Sequence, residues 1–139
     1  MEFDILKKKF TVQQAKQLNP LVLAFIGDAI YEVFIRTQLV DRYRDMSVHK
    51  LHVKAISYVK AHAQSEFMKI LQEDATEEEI AVFKRGRNSK SGTIPKNADL
   101  QEYKTATGFE ALVGFLYITE QTDRLNYFFN KIVEIKAEL

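Results

Sequence analysis

The chain has no cysteine and no tryptophan, and its 139 residues include only two prolines and five glycines. Without cysteine it can form neither a disulfide nor a thiolate metal site, which is typical of proteins from a reducing compartment. The scarcity of proline and glycine excludes a disordered low-complexity chain and a collagen-like repeat. A chain of this length can be held together by a hydrophobic core alone.

Long apolar runs and an excess of one charge are missing as well. The stretches LVLAFIG and ALVGFLYI are far shorter than the about 20 apolar residues of a membrane-spanning helix. The start, MEFDILKKKF, lacks the apolar segment of a secretory signal, so we expect a cytoplasmic protein. Lys and Arg number 20 against 19 Asp and Glu, and this net charge of +1 argues weakly against a nucleic-acid-binding protein.

What the sequence does have is helical periodicity. Asn19 is a good N-cap and Pro20 suits the first position of a helix. The helix that they open is apolar through Ile35, which predicts burial on most of its sides. Ser47 predicts the cap of a second helix, whose apolar residues keep helical spacing as far as Ile70.

The second half of the chain continues this pattern. Residues 76–79, TEEE, form a Thr-x-x-Glu capping box that opens a short helix. Residues 85–97 contain two Gly, one Pro and three Ser or Thr, which predicts a loop. Asn97 or Asp99 is expected to cap the next helix, and a final helix follows. Because no useful strand pattern occurs, we predict one all-α domain over residues 1–139, with about five to six helices.

Two lone carboxylates stand in the most apolar helices. Asp28 lies within LVLAFIGDAIYEVFI, and Glu110 lies within GFEALVGFLYI. A buried carboxylate is costly unless it is protonated, paired or bound to a cation. Gly27, Gly108 and Gly114 stand beside these acids, and their missing side chains would let two helices approach and bring the acids together. Such an oxygen-only site suits Mg²⁺ or Mn²⁺, whereas the simpler alternative is an acid paired with a helix end or an arginine.

Basic side chains are concentrated in one segment of thirteen residues without an acid. The Gly, Ser, Thr and Asn residues between them add further donors, a composition that suits contacts to nucleic-acid phosphates. A solvated loop is the alternative. The candidate RNA-binding residues are Lys84, Arg85, Arg87, Lys90 and Lys96. The three histidines are interpreted as surface residues and not as ligands; they are His49, His52 and His62.

Three segments together resemble the ribonuclease III family. LAFIGDAIYE is similar to the family's Leu-Glu-Phe-Leu-Gly-Asp-Ala signature, FKRGRNSKSG to its Gly-Arg-Gly…Lys-Ser-Gly segment, and GFEALVGFLYI to its Phe-Glu-Ala-Leu helix. They occur in the family's order over residues 21–118. The short chain and the run RGRNSKSGTIPKN most resemble the Mini-III subgroup, which keeps the catalytic domain and lacks the double-stranded-RNA-binding domain.

The resemblance implies an all-α homodimer that hydrolyses double-stranded RNA with Mg²⁺, or with Mn²⁺ as a substitute, and leaves 5′-phosphate and 3′-hydroxyl ends. For the subgroup it implies maturation of the ends of 23S ribosomal RNA precursor in bacterial cytoplasm. Asp28 and Glu110 match the family's catalytic metal ligands, and Phe25 matches an aromatic residue at its dimer contact. Ala24 and Thr107 stand where the family usually has Glu and Asp, so two of four carboxylates are missing.

These departures leave other functions open. A ribonuclease III fold could serve as a catalytically silent RNA- or ribosome-binding factor, and a helical scaffold without an RNA role is a third hypothesis. The presence of both Asp28 and Glu110 favours the enzyme. Because the chain has little net charge, we expect it to bind isolated duplex weakly. We therefore expect it to act on an assembled ribonucleoprotein, where a ribosomal protein could assist.

Overall fold

A computed structural model describes residues 10–90, 94, 96 and 98–138. Over these residues the chain forms seven α-helices and one 3₁₀ turn, with no strand, which confirms the predicted all-α fold. The elements are α1 (Val12–Gln17), α2 (Pro20–Arg42), α3 (Val48–Val59), α4 (Ala61–Leu71), the 3₁₀ turn (Gln72–Asp74), α5 (Glu77–Arg87), α6 (Leu100–Ile118) and α7 (Thr122–Glu138). Within this described part, no helix is long and apolar enough to cross a bilayer.

Helix α6 lies at the centre of the fold, with α2, α4 and α5 packed around it. Most of its second half is buried, from Ala106 to Ile118. A helix that is apolar on all sides belongs in a core, because each of its faces needs a partner. The largest fully buried aromatic side chains are Phe109 and Phe115, which belong to α6, and Tyr31 and Phe83, which pack against it.

Glycine lets α2 and α6 cross with their backbones in contact. A Cβ on Gly27 would lie 1.7 Å from the carbonyl oxygen of Glu110, and a Cβ on Gly114 would lie 1.9 Å from the carbonyl oxygen of Leu23. Any side chain at either position would force the helices apart, so the close approach predicted from these two glycines is present. Gly108 faces α5 instead, where its Cβ would lie 2.7 Å from a backbone carbonyl oxygen.

The prediction of a single helix from Ser47 to Ile70 is wrong, because the structure has two helices there, α3 and α4. Lys60 joins the two helices in an extended conformation, with φ −64° and ψ 153°. The hydroxyl of Tyr31 donates to the carbonyl of the penultimate residue of α3 at 2.9 Å, and the amide of Gln64 donates to the last one at 2.8 Å. These two bonds satisfy carbonyls that the end of a helix leaves free.

Helix α5 begins at the predicted capping box. The Thr76 hydroxyl accepts from the Glu79 N–H at 3.1 Å, and the Glu79 carboxylate accepts from the Thr76 N–H at 2.9 Å. The predicted loop begins only after α5, at Asn88 and not at residue 85. The buried Glu79 also accepts two hydrogen bonds of 2.8 Å from the guanidinium of Arg124, and this ion pair ties α5 to α7.

The start of α6 agrees with one of the two predicted caps. The side chain of Asp99 accepts a hydrogen bond from the Glu102 N–H at 3.0 Å. The alternative cap, Asn97, lies outside the described residues, as do residues 91–93 and 95 of the predicted loop. Three of the five candidate RNA-binding residues lie in the last turn of α5, namely Lys84, Arg85 and Arg87.

Candidate active site

The crossing of α2 and α6 brings the two predicted acids together. Asp28 follows Gly27 on α2, and the carbonyl of Glu110 fills the space of the missing Gly27 side chain. The two carboxyl groups lie close enough for that of Asp28 to raise the pKa of Glu110. Glu110 is half-buried but Asp28 is exposed. The expectation that both acids are buried is therefore wrong for Asp28, which lies on the open side of the crossing.

The surroundings of Glu110 oppose its ionisation. Burial, together with the neighbouring carboxylate of Asp28, raises the pKa of Glu110 to about 8, and the charge of Glu32 adds to this shift. The neighbouring side-chain amide of Gln64 acts in the opposite direction and lowers the pKa of Glu110. Two carboxylates in one site repel each other unless a proton or a cation lies between them. The Asp28–Glu110 pair is therefore suited to hold either a proton or a cation.

The donor atoms at this pair fit a hard divalent cation. Carboxylate oxygens are the ligands that Mg²⁺ and Mn²⁺ prefer, and a cation would relieve the repulsion that raises the pKa of Glu110. Glu32, four residues after Asp28 on α2, pairs with Arg36, whose Nε donates to the Glu32 carboxylate at 3.0 Å. Glu32 therefore has a basic partner on its own helix, whereas the acid nearest to Glu110 at the crossing is Asp28.

The two positions where expected carboxylates are missing have other roles. Ala24, one turn before Asp28, is buried in the core. Thr107, three residues before Glu110, donates its hydroxyl hydrogen to the carbonyl of Tyr103 at 3.0 Å. The described part of this site therefore presents two acids at the helix crossing, with a buried methyl and an internally bonded hydroxyl beside them.

Gln64 is a residue of the site that the sequence analysis missed. Its side chain is 3% exposed, and it lies close enough to Glu110 to influence that carboxyl group. Its amide nitrogen also bonds the end of α3, while its Oε1 has no hydrogen-bond partner in the described part of the chain. The only signal in the sequence is a polar residue placed between Ala63 and Phe67 on the apolar face of α4.

The predicted RNA-binding residues have unequal surroundings. Lys84, Lys90 and Lys96 are exposed. Arg87 is half-buried, with its guanidinium 5.6 Å from the centre of the Phe83 ring. The aromatic ring fixes the position of this charge at the end of α5.

Arg85 has a structural role that its sequence context did not indicate. Its guanidinium donates to the carbonyl oxygens of Lys16 at 2.7 Å and Leu18 at 3.3 Å, which lie at the end of α1. Lys16 in turn pairs with Glu78 on α5 at 3.0 Å. Arg85 therefore fastens α1 to α5, although its side chain stays on the surface.

An exposed apolar stripe runs along one face of α2, so the predicted burial of this helix on most sides is wrong for the single chain. Phe25 is 79% exposed and Val33 is 62% exposed. Exposed apolar patches of this kind mark interaction surfaces. The large side chains of the stripe are Val22, Phe25, Val33 and Val40.

Comparison with known proteins identifies the class to which this fold and site belong. Residues 21–121 match the family model of the ribonuclease III domain. The chain therefore belongs to the ribonuclease III family, and it is an endoribonuclease.

Its relatives place it more narrowly, among the proteins called Mini-ribonuclease 3. The one from Clostridium tetani is 50% identical over 133 residues, covering 96% of this chain and 88% of that protein. The one from Enterococcus faecalis is 49% identical over 125 residues, covering 88% of this chain and 94% of that protein. A crystal structure of a Fusobacterium nucleatum protein matches with a TM-score of 0.78 at 32% identity, over 89% of this chain and 97% of that one.

Proposed function

We propose that this endoribonuclease cleaves double-stranded RNA with Mg²⁺ and matures the ends of 23S ribosomal RNA precursor. The observation that supports the metal dependence is the backbone contact between the two helices at Gly27 and Glu110, which places Asp28 close enough to raise the pKa of Glu110. The duplex substrate is supported by membership in the ribonuclease III family. The assignment of 23S ribosomal RNA precursor as the substrate rests on the similarity of the sequence to the Mini-III subgroup.

Asp28 and Glu110 are the residues that would hold Mg²⁺, or Mn²⁺ in its place. When bound, such a cation stabilises charge on the scissile phosphate and lowers the pKa of a hydrolytic water, so no side-chain nucleophile is needed. Glu110 has to lose its proton before it can act as a ligand, because a metal ligand must be deprotonated. Asp28 is exposed and presents its carboxylate to incoming RNA, while the close crossing at Gly27 keeps Glu110 beside it.

The basic side chains in the last turn of α5 and in the segment that follows it supply the contacts to RNA in this proposal. Duplex RNA is recognised mainly through its phosphates and 2′-hydroxyls, which Lys84, Arg87, Lys90 and Lys96 are suited to contact. A homodimer formed through the exposed α2 stripe around Phe25 would present two such surfaces to one duplex. Cleavage would leave 5′-phosphate and 3′-hydroxyl ends.

The test is a Mg²⁺ titration of duplex RNA cleavage, followed on a denaturing gel. We expect Asp28→Asn and Glu110→Gln to reduce cleavage by at least about 100-fold, with an unchanged helical spectrum, because each removes a charged ligand. Asp45→Asn, on an exposed residue outside α2 and α6, is the matched control and should cleave as wild type does. Wild-type cleavage by Asp28→Asn or Glu110→Gln, or full activity in excess chelator, would contradict the proposal.

The substrate is tested with 23S precursor, presented either as naked RNA or within assembled ribosomal particles. We expect faster cleavage in the particles, since a chain with a net charge of +1 attracts isolated duplex only weakly. The cleaved ends should carry a 5′-phosphate. Tight binding of naked duplex at physiological salt would show that no ribonucleoprotein context is needed.

A further inference from the structure

A second group of metal-binding side chains lies away from the acidic pair, on α4 and α6. His62 and Glu66 are one turn apart on the same face of α4, and Glu102 lies in the first turn of α6. One ligand atom from each of the three lies within 4.8 Å of the others. The Nδ1 of His62 already contacts a carboxylate oxygen of Glu102.

This group is distinct from the candidate active site. Glu102 is eight residues before Glu110, which corresponds to about 12 Å along a helix. Its position is set by the cap of α6, where Asp99 accepts its backbone N–H at 3.0 Å. His62 and Glu66 lie next to each other on α4, because side chains four residues apart on a helix are neighbours. The folded backbone thus brings the three ligands together from two helices.

The ligand set differs from that of the acidic pair in chemistry as well. One imidazole nitrogen with two carboxylates favours first-row transition metals, whereas Mg²⁺ prefers oxygen ligands alone. We propose that His62, Glu66 and Glu102 form a binding site for a transition-metal dication such as Zn²⁺ or Co²⁺. Three protein ligands leave a further coordination position for water, as Zn²⁺ sites of this size commonly do.

The competing arrangement is a pair of surface ion contacts. Glu66 pairs with Lys69 at 3.1 Å, and His62 pairs with Glu102. Exposed ion pairs are weak, because water screens them and long side chains lose entropy on pairing. A dication that two carboxylates and an imidazole can reach together displaces both contacts. Its binding would tie the start of α6 to α4 and stabilise the folded chain against unfolding.

The experiment titrates Zn²⁺ and Co²⁺ into chelator-treated protein and measures the Kd by calorimetry, the Tm, and the visible absorption of bound Co²⁺. The test variants are His62→Ala, Glu66→Gln and Glu102→Gln. His49→Ala and His52→Ala are matched controls, since both histidines are exposed on α3. The wild type is compared with the Asp28→Asn, Glu110→Gln double variant, so that metal at the acidic pair is distinguished from metal at this site.

We expect each test variant to raise the Kd by about tenfold or more, and the Co²⁺ spectrum to lose intensity. The control variants should bind as wild type does. The double variant at the acidic pair should keep the Kd and the Co²⁺ spectrum of the His62, Glu66 and Glu102 site, and should lose only metal held by the acidic pair. Lys69→Ala should bind at least as tightly, because it removes a competing positive charge. The proposal fails if His62→Ala and Glu102→Gln bind as wild type does, or if binding disappears in the double variant. Neither failure bears on RNA cleavage, which is assayed separately.

Discussion

The Cβ that Gly27 lacks would lie 1.7 Å from the carbonyl oxygen of Glu110. Real Cβ atoms are not found so close to a backbone oxygen, so this position tolerates no side chain unless a helix moves. The same contact sets the distance between Asp28 and Glu110, which stand on the two helices at the crossing. Packing and the candidate chemistry of this protein therefore depend on one missing methyl group.

Gly27→Ala should destabilise the chain by about 1–3 kcal/mol or more, because overpacking a close crossing shifts the backbone. The rate of RNA cleavage should fall by more than the loss of folded protein accounts for, because the carboxylates of Asp28 and Glu110 would move apart. Thermal unfolding and duplex cleavage measure the two effects. Ala81→Ser, on the exposed side of α5, serves as the control and should change both by little. Wild-type stability of Gly27→Ala would contradict the backbone contact.

The raised pKa of Glu110 predicts how stability depends on pH in the absence of metal. The folded-state pKa, about 8, lies above the ordinary value of 4.5, so the folded state holds the proton more tightly than the unfolded state does. The unfolded state therefore binds fewer protons over this range, and stability falls as pH rises from about 4.5 to about 8.

Urea unfolding at pH 5 and pH 8, in the presence of chelator, measures this dependence. We expect the free energy of unfolding of the wild type to fall by about 1–2 kcal/mol between pH 5 and pH 8, a figure already reduced for the partial exposure of the site. In Glu110→Gln this fall should be absent. Glu66→Gln, at an exposed residue, is the control and should keep the wild-type slope. An unchanged slope in Glu110→Gln would mean that this carboxyl ionises normally.

Phe25→Glu should turn the homodimer proposed above into a monomer, with an unchanged helical spectrum. The phenyl ring is 79% exposed in the single chain, and a charge in a buried apolar interface is costly. Sedimentation equilibrium gives the mass of both forms. Tyr127→Glu, at a side chain that is 41% exposed on α7, should leave the mass unchanged. A wild-type mass for Phe25→Glu would place the dimer contact elsewhere.

Arg85 and Arg87 should differ when each is replaced by alanine. Arg87→Ala should lower the slope of log K for duplex RNA against log salt by about one, as expected for one lost phosphate contact. Arg85→Ala should also lower the Tm, because it releases the carbonyls at the end of α1. Filter binding over a range of salt, with melting curves, separates the effects. Equal melting temperatures for the two variants would contradict the anchoring role of Arg85.

Local signals account for most of the helix starts. Asn19, Ser47, Thr76 and Asp99 each cap a helix where the sequence predicts one, because a cap needs only its own side chain and the next turn of backbone. The break at Lys60 has no such signal. Its freed carbonyls are satisfied by Tyr31 and Gln64, and the first of these lies far away in the chain, so local spacing favoured one continuous helix.

The same distinction holds for the functional residues. The pairing of Asp28 with Glu110 could be predicted because glycines mark the helix crossing in the sequence itself. The anchoring by Arg85 could not, since it depends on which distant carbonyls lie within reach. The role of Gln64 could not either, since it depends on how α4 packs against α6 and brings Gln64 close to Glu110.

The sequence by itself determined that this protein is all helical, and its glycines predicted that two apolar helices approach closely and bring Asp28 and Glu110 together. Apolar periodicity, caps and glycines act over one or two turns, so they can be interpreted without coordinates. Tertiary structure alone decided that Asp28 is exposed and Glu110 half-buried, that α2 keeps an uncovered apolar face, and that His62 meets Glu102. These properties depend on how helices distant in sequence pack, because burial and contact are set by neighbours that no local pattern specifies.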